Sequence, residues 1–377
     1  MILNICEDSL KAQQAFWTAK EISQQPETWR ETARLITNSD VQSFLIPLIE
    51  QAKLGKLRII FTGAGTSAFI GNIVAPVLSE KLGCVVESIA STDLVSSPYQ
   101  YLFADQPTLL VSFGRSGNSP ESIGAVNNVN AIVKQAYHLV ITNNVNGALF
   151  KSSQDNPNVF AIALPDATHD QGFAMTSSAS NMMLAALVSF VPRCFAYQWV
   201  EELALVAETL LKEDALKLQQ LAQLPVERIV YLGSGAFQGL ARENALKLLE
   251  LTAGQRLGFF ESNMGFRHGP KSLVQQDTLI FVYLSLNSYT AQYDRDLFKE
   301  LSQDNKAKEV ILVGDKEDMF AAPMYQLDDA ARIFPFLIIG QLYAFYSSFY
   351  LKLTTDNPCP SGEVNRVVQG VILYPYQ

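Results

Sequence analysis

The sequence contains the same local pattern twice, and this duplication constrains the fold more than any other feature. An apolar run that stops at a Gly-x-Gly turn and passes into a helix-like stretch occurs at residues 57–71 (LRIIFTGAGTSAFIG) and again at 228–239 (RIVYLGSGAFQG). The matching glycines, Gly63 and Gly233, are 170 positions apart. We therefore predict two copies of one structural unit.

Further apolar runs extend the duplication. Val111 and Val282 lie in runs that are 171 positions apart, and HLVITN (138–143) and VILVGD (310–315) keep nearly the same spacing. Strands that alternate with helix-period stretches are typical of α/β folds with parallel sheets. The sequence thus predicts two flavodoxin-like, doubly wound parallel sheets in tandem.

Helical patterns complete this plan. Each copy ends in a long apolar helix, near 176–190 and 331–350, and apolar spacing at 201–224 predicts a connecting helix. The expected domains are an N-terminal helical extension (1–50), a first domain (51–200), and a last part with the connecting helix, the second domain and a C-terminal tail (201–377).

Composition excludes several classes of protein. Hydrophobic residues make up 48% and charged residues 17%, as in an ordered globular chain. The formal charge of -9, from 28 Lys and Arg against 37 Asp and Glu, argues against a nucleic-acid partner. The 4 cysteines are widely spaced, so neither a zinc site nor a disulfide framework is predicted. We expect a cytoplasmic protein, because the stretch after Met1 does not resemble a secretory signal.

Two apolar segments, 182–197 and 334–351, raise the question of a membrane span. Pro192 and Arg193 interrupt the first, and the second contains several polar residues. Strongly apolar helices of large soluble proteins are more often buried in a core or a subunit interface. No membrane partner is therefore expected.

The stretch SFGRSGNSPES at residues 112–122 follows a buried-looking strand directly. A Gly- and Ser-rich turn between a strand and a helix directs backbone N–H groups and the positive end of the helix dipole at one point. We predict a phosphate site with donors from Arg115, Ser116, Gly117, Asn118 and Ser119. The alternative, a helix cap with Ser119 at the N-cap and Pro120 at the first helical position, leaves Ser116 to Asn118 unexplained.

The second copy differs at the corresponding place. It reads VYLSLNSYTAQ (282–292), without glycine and with Tyr289 where the first copy has a small residue. Only the first copy is therefore predicted to bind phosphate. The GAGTS turn lacks the third glycine of a dinucleotide site, and we expect Gly65 and Ser67 to contact the substrate there instead.

The chain has only 3 histidines. His138 opens a predicted strand and is most simply a strand-edge residue, whereas His169 lies in a polar loop with either a site or a turn role. His268 lies in GFRHGPKSLV, an irregular loop of the kind that often carries catalytic groups. Glu250 lies near the end of the helix ARENALKLLELT, where a carboxylate is unfavourable for the helix dipole. The simpler interpretation makes it a solvated carboxylate.

Six motifs in order resemble the sugar isomerase (SIS) proteins with tandem domains, and among them the bacterial galactosamine-6-phosphate deaminase/isomerases, also described as tagatose-6-phosphate ketose/aldose isomerases. These motifs are GAGTSAFIG, SFGRSGNSPES, GFAMTSS, ENALKLLELTAG, GFRHGPKSLV and VNRVVQGVI. The resemblance implies two flavodoxin-like domains, a sugar phosphate held by the first, and a homodimer with active sites near the subunit interface.

The chain is also similar, more distantly, to the isomerase half of glucosamine-6-phosphate synthase. That similarity implies that Glu250 and His268 are catalytic, with His268 assisting ring opening and Glu250 moving the C2 proton to C1. No metal or organic cofactor is implied. Thr176 is expected to close the pocket, and Asn365 and Arg366 of the tail to contact substrate.

The tail departs from the synthase pattern, because Val368 stands where those relatives carry a lysine close to the sugar. The absence of a preceding glutaminase domain favours ammonia release over ammonia fixation. Three alternatives stay open at this point: a ketose/aldose isomerase without nitrogen chemistry, a glucosamine-6-phosphate deaminase, and a phosphosugar sensor without turnover. The sensor is disfavoured because the first fifty residues show no basic DNA-binding face.

Overall fold

The computed structural model describes residues 1–153, 156–368, 370–374 and 376. Four helices precede the first strand: α1 (Glu7–Ala12), α2 (Phe16–Ser23), α3 (Gln25–Thr37) and α4 (Val41–Lys53). The predicted N-terminal helical extension is confirmed.

The first copy forms a five-stranded parallel sheet. Its elements are β1 (Arg58–Thr62), α5 (Thr66–Leu82), β2 (Val86–Ser88), α6 (Ser91–Ser96), β3 (Thr108–Gly114), α7 (Pro120–Ile132), β4 (Ala136–Thr142), α8 (Ala148–Lys151), β5 (Val159–Ala163) and α9 (Ser177–Phe190). The strand order is β2-β1-β3-β4-β5, the flavodoxin-like order, and all seven residues of the central β3 are buried. A strand covered on both faces explains the continuous apolar run TLLV.

The sequence predicts one connecting helix over 201–224, but the structure has three consecutive helical segments there. It consists of α10 (Tyr197–Thr209), a π-helical turn (Leu210–Asp214) and α11 (Ala215–Ala222). The buried carboxylate of Asp214 accepts hydrogen bonds from the backbone of Ala321 (2.8 Å) and Ala322 (2.9 Å). The wider π-helical turn positions the Asp214 carboxylate for these two hydrogen bonds. The apolar spacing of the sequence does not indicate such a turn.

The second copy repeats the plan with four strands. Its elements are β6 (Arg228–Leu232), α12 (Ala236–Leu251), β7 (Leu257–Glu261), α13 (Asn263–Phe266), β8 (Thr278–Tyr283), α14 (Ser288–Asp304), β9 (Glu309–Val313) and α15 (Asp329–Tyr350). The order is β7-β6-β8-β9, and every pair is parallel. The predicted class, two tandem doubly wound α/β domains, is confirmed.

The residues group into two compact units. Unit 1 comprises 1–27, 171–176 and 199–363, and unit 2 comprises 28–170, 177–198 and 364–377. Unit 2 therefore contains the first sheet and unit 1 the second. The predicted domain boundaries at residues 50 and 200 stay a prediction.

Helix α15 is long and apolar enough to cross a membrane by length and composition, but 89% of its most apolar window is buried inside the protein. It also contains the buried Arg332, whose guanidinium donates to the carbonyls of Leu284 (2.8 Å), Leu327 (2.9 Å) and Tyr325 (3.0 Å). A helix that buries an arginine in this way packs as a core helix.

His138 is not at a strand edge, contrary to the prediction. It is the third residue of β4, which lies between β3 and β5, and it is 3% exposed. Its Nε2 pairs with Asn130 Oδ1 at 2.8 Å, and burial lowers the pKa of the imidazole to about 4. We assign it a structural role.

Candidate active site

The two predicted loops follow neighbouring strands, β1 and β3, at the carboxyl edge of the first sheet. Strand β1 ends at Thr62, before the Gly-x-Gly turn, and β3 runs two residues further, from Ser112 opposite Thr62 to Gly114, before the loop 115–119. The strand order reverses between β1 and β3, and this switch point is where ligands of doubly wound sheets bind.

Loop 115–119 is held from behind through its carbonyl and side-chain oxygens. Asn144 Nδ2 donates to Ser116 O (2.8 Å), and Leu149 N donates to Gly117 O (3.0 Å). Ala148 N donates to Asn118 Oδ1 (2.9 Å). Because these oxygen atoms of the loop already accept hydrogen bonds from the segment after β4, its backbone N–H groups can donate to a ligand.

Within the described residues, the backbone N–H groups of Ser116, Gly117 and Ser119 meet no protein acceptor. Gly117 adopts φ 63°, the left-handed conformation that turns successive amides towards one side. A Cβ here would lie 3.3 Å from Thr142 Oγ1. Both conformation and space therefore favour glycine at this position.

Helix α7 begins behind this loop as both interpretations predict, with Ser119 at the N-cap and Pro120 first in the helix. Ser119 does not cap the helix with its side chain, because its Oγ donates to Ser122 Oγ at 2.7 Å. The positive end of this 13-residue helix therefore stays available to an anion.

The Gly-x-Gly turn has the same geometry in both copies. Gly65 and Gly235 take φ values of 57° and 59°, and a Cβ on Gly63 would lie 2.5 Å from the Cβ of Ser67. Gly63 and Gly233 thus allow close packing of the turn against the following helix, and Gly65 and Gly235 supply the positive φ of the turn. The copies differ two positions after the second glycine, where the first has the hydroxyl of Ser67 and the second has Phe237.

A basic cluster includes the first residue of loop 115–119, Arg115, together with His169 and Arg366. Arg115 is 7% exposed, and its Nη2 donates to the backbone carbonyl of Arg366 at 2.9 Å. Burial lowers the pKa of His169, and the guanidinium groups of Arg366 and Arg115 lower it further, against the opposing carboxylates of Asp170 and Asp166. The sequence left the position of His169 open, because residues 115, 169 and 366 are far apart in the chain.

The predicted tail residues Asn365 and Arg366 belong to unit 2 with this loop, and both are exposed. Val368, the position of the relatives' lysine, is 50% exposed. Thr176 is fully buried and belongs to unit 1, where Glu21 and Asp356 bind the backbone of the same short segment.

Glu250, in unit 1, has a charged partner that the sequence analysis missed. Lys247 is fully buried one turn earlier on α12 and forms ion pairs with Glu250 and, at 3.4 Å, with Glu243. Burial opposes the charge of Lys247, but the two carboxylates outweigh it and raise the pKa of the ammonium. The i, i+4, i+7 spacing Glu243–Lys247–Glu250 was the available signal.

The ion pair with Lys247 compensates the unfavourable position of Glu250 near the helix C-terminus. The Glu250 side chain is 24% exposed and Glu243 only 1% exposed. Of the two carboxylates, Glu250 is the one that a substrate can reach.

His268, also in unit 1, lies in the turn between α13 and the 3₁₀ turn Pro270–Leu273. Its backbone N–H donates to Gly265 O at 2.9 Å, and Gly269 follows with φ 121°. The imidazole is exposed, which leaves it accessible for proton transfer. In the described ranges, no group of three or more His, Cys, Asp or Glu side chains could hold a metal ion.

Comparison with known proteins places these loops in a family. The SIS domain profile matches residues 55–192. D-galactosamine-6-phosphate deaminase AgaS of Escherichia coli O157:H7 is 45% identical over 375 residues, which cover 96% of each chain. The protein of the same name from Shewanella sp. (strain ANA-3) is 45% identical over 96% of this chain and 92% of the relative. The chain belongs to the AgaS family of SIS-domain proteins.

A solved structure supports the same assignment. The crystal structure of tagatose-6-phosphate ketose/aldose isomerase from Escherichia coli superimposes with a TM-score of 0.88 at 43% identity, covering 96% of this chain and 97% of that one. The AgaS-family resemblance predicted from six short motifs is therefore confirmed.

The buried ion-pair network of this AgaS-family chain can be tested by Lys247→Met. We expect the free energy of unfolding to fall by about 3 kcal/mol, because Glu243 keeps a buried charge without its cation. Without the ammonium, the folded-state pKa of Glu243 rises above its unfolded value. Stability of the variant is then lost as the pH rises through that range, so the deficit should be smaller at about pH 5 than at about pH 8.

Chemical denaturation of both proteins at the two pH values measures this deficit. Lys271→Met is the control, because Lys271 pairs with Glu300 at a more exposed place and should change stability by about 1 kcal/mol or less. An equal deficit at both pH values would show that lost packing, and not lost charge, explains the effect.

Proposed function

We propose that this protein converts galactosamine 6-phosphate to tagatose 6-phosphate and ammonia. The observation that carries the proposal is loop 115–119, with three amides open to an anion at the start of α7. The relatives named D-galactosamine-6-phosphate deaminase and tagatose-6-phosphate ketose/aldose isomerase supply the substrate class and the sugar.

The second copy supports the choice of the first loop. There the carboxylate of Asp329 accepts from Leu286 N (2.6 Å) and Ser285 Oγ, and Asp294 accepts from Ser285 N (3.0 Å) and Ser234 Oγ (2.7 Å). The chain's own carboxylates thus occupy the donors that could otherwise serve an anion. One phosphate per chain is the expected stoichiometry.

We assign the phosphate to the open backbone N–H groups of Ser116, Gly117 and Ser119 and to the hydroxyl of Ser116. The two other predicted donors are already engaged, since Asn118 N donates to Ser116 Oγ at 3.2 Å and Ser119 Oγ donates to Ser122 Oγ. Ser67, on α5, is placed to contact the sugar or its phosphate, with Gly65 giving close backbone approach. A phosphate anchored far from the reacting carbons fixes the substrate so that the base and C2 meet in an aligned geometry. Thr176, Asn365 and Arg366 are proposed as additional substrate contacts.

The chemistry proceeds in three steps. His268 transfers a proton between the ring oxygen and the anomeric hydroxyl, which opens the ring to the aldehyde. Glu250 then takes the C2 proton and returns it to C1, while a second proton passes from the C2 ammonium to the aldehyde oxygen, so that C1 becomes a hydroxymethyl group and C2 a protonated ketimine. Water adds to the ketimine carbon, and the C–N bond breaks to give the ketose phosphate and ammonia.

The partners and location follow from the same proposal. We propose a homodimer with active sites near the subunit interface and a cytoplasmic location, where hexosamine phosphates and reduced thiols coexist. The free cysteines Cys6, Cys84, Cys194 and Cys359 are compatible with a reducing compartment.

A substrate panel tests the proposal. Galactosamine 6-phosphate, glucosamine 6-phosphate, tagatose 6-phosphate and fructose 6-phosphate are each incubated with the protein, and free ammonia and ketose are measured. Ammonia and ketose in equal amounts are expected from galactosamine 6-phosphate. Aldose–ketose conversion without ammonia would favour the plain isomerase, ammonia from the gluco substrate alone would favour the second deaminase, and binding without turnover would favour the sensor.

A further inference from the structure

The basic cluster of Arg115, His169 and Arg366 has no role in the chemistry above beyond the predicted contacts of the two arginines. We propose that His169 is a phosphate-recognition residue, which joins Arg115 and Arg366 to form the second half of the anion site opened by loop 115–119. This proposal rests on the proposed function, since it assigns the phosphate of that substrate.

The fold places His169 at the ligand-binding edge of the first sheet. Leu164 N donates to Thr142 O (2.9 Å), so the residue that follows β5 still lies beside the last residue of β4. Asn143 Nδ2 then holds Thr168 through its carbonyl (3.1 Å) and its hydroxyl. His169 therefore stands on a rigid support.

The same edge carries loop 115–119. Gly114, the last residue of β3, pairs in register with Thr142, and its carbonyl accepts from Thr142 Oγ1 at 2.6 Å. Asn144 ties the loop to the segment after β4 through Ser116 O. The loop and His169 are thus connected through one short stretch, residues 142–144.

Charge decides which end of the substrate this cluster receives. The amino group at C2 is an ammonium near neutral pH, and two guanidinium groups would repel it. The phosphate is an anion that Arg residues recognise well. In a chain with a formal charge of -9, a buried guanidinium, that of Arg115, and an exposed one, that of Arg366, beside open amides point to the phosphate.

The charged groups that act on His169 are the guanidinium groups of Arg115 and Arg366, which lower its pKa, and the carboxylates of Asp166 and Asp170, which raise it. Asp170 is engaged, because its carboxylate accepts from Ser177 N (3.1 Å) and Ser178 N (3.0 Å) at the start of α9. Before an anion binds, the guanidinium groups favour neutral imidazole. A bound dianion reverses this balance and favours imidazolium.

The test uses the small number of histidines. With three imidazoles in the chain, proton NMR can follow each one, and His169→Asn and His268→Asn assign the two outside the core. Sulfate is the probe, because it stays a dianion over about pH 5 to 8, where histidine titrates. We expect sulfate to raise the pKa of His169 by about one unit and to leave His138, inside β4, unchanged.

Kinetics with galactosamine 6-phosphate separate recognition from catalysis. For His169→Asn we expect KM to rise about tenfold with kcat within about twofold of wild type, the pattern of lost uniform binding. An unchanged pKa in sulfate would overturn the proposal, and so would a variant that loses kcat at constant KM. An unshifted His138 resonance in the variant shows that unit 2 is folded.

The two proposals can fail separately. If the wild-type protein releases no ammonia but sulfate raises the pKa of His169, the deaminase assignment fails and the anion site stands. If ammonia is released and sulfate does not raise the pKa of His169, the deaminase assignment stands and the role of His169 in phosphate recognition fails.

Discussion

Glu250→Gln is expected to reduce kcat for ammonia release by about 10² to 10⁴-fold, the range that general acid–base catalysis contributes. Glutamine has nearly the same shape but cannot take the C2 proton. KM should change little, because the proposed phosphate donors belong to unit 2. Stability should also change little, since Lys247 keeps Glu243 as its buried partner.

The measurement pairs steady-state ammonia release with exchange of the C2 proton of galactosamine 6-phosphate in deuterated water. Both should be lost together if Glu250 is the base. Glu309→Gln, an exposed carboxylate on β9 of the same unit, is the matched control and should retain activity. Exchange that continues at the wild-type rate in the Glu250 variant would assign the base to another residue.

Ser116→Asp is expected to raise KM for galactosamine 6-phosphate by about 10² to 10³-fold, because like charges brought together cost several kcal/mol. The substitution would imitate the second copy, where Asp329 carries a carboxylate to the donors of Ser285 and Leu286. The kcat at saturating substrate should fall much less. Loss of sulfate binding, followed by NMR, gives an independent readout.

Ser43→Asp is the control for the added charge. Ser43 is exposed in the first turn of α4, where a carboxylate is favourable for the helix dipole. It should leave KM unchanged and raise stability slightly. A Ser116→Asp variant with normal KM would place the phosphate outside loop 115–119.

Much of the fold could be predicted because its signals are local. Buried parallel strands such as β3 are written as continuous apolar runs, and the turns after β1 and β6 need glycine at matched positions. Repetition strengthened weak signals, since the runs of β1, β3 and β4 each had a counterpart about 170 residues later. Strand β2 has only three residues, too few to show a pattern, and β5 and β7 have no Gly-x-Gly turn after them to mark where they end.

The site was predicted less completely, because its electrostatics depend on distant parts of the chain. The hydrogen bond between Arg115 and Arg366 joins residues 251 positions apart, and no local period indicates it. Burial lowers the pKa of His169, and the same two guanidinium groups lower it further. Lys247 is an exception, since its two carboxylate neighbours lie at helical spacing in the sequence and therefore give a local signal.

The difference in strand number between the two sheets has a consequence for the protein outside its active site. Among the described residues, β9 pairs only with β8, whereas its counterpart β4 lies between two strands. A strand at the edge of a sheet has unpaired backbone groups that can pair with a strand of another protein, and charged side chains disfavour this pairing. Lys306, Lys308 and Glu309 are exposed where β9 begins, so charged side chains accompany the strand that has one fewer neighbour than β4 and disfavour pairing with strands of other molecules.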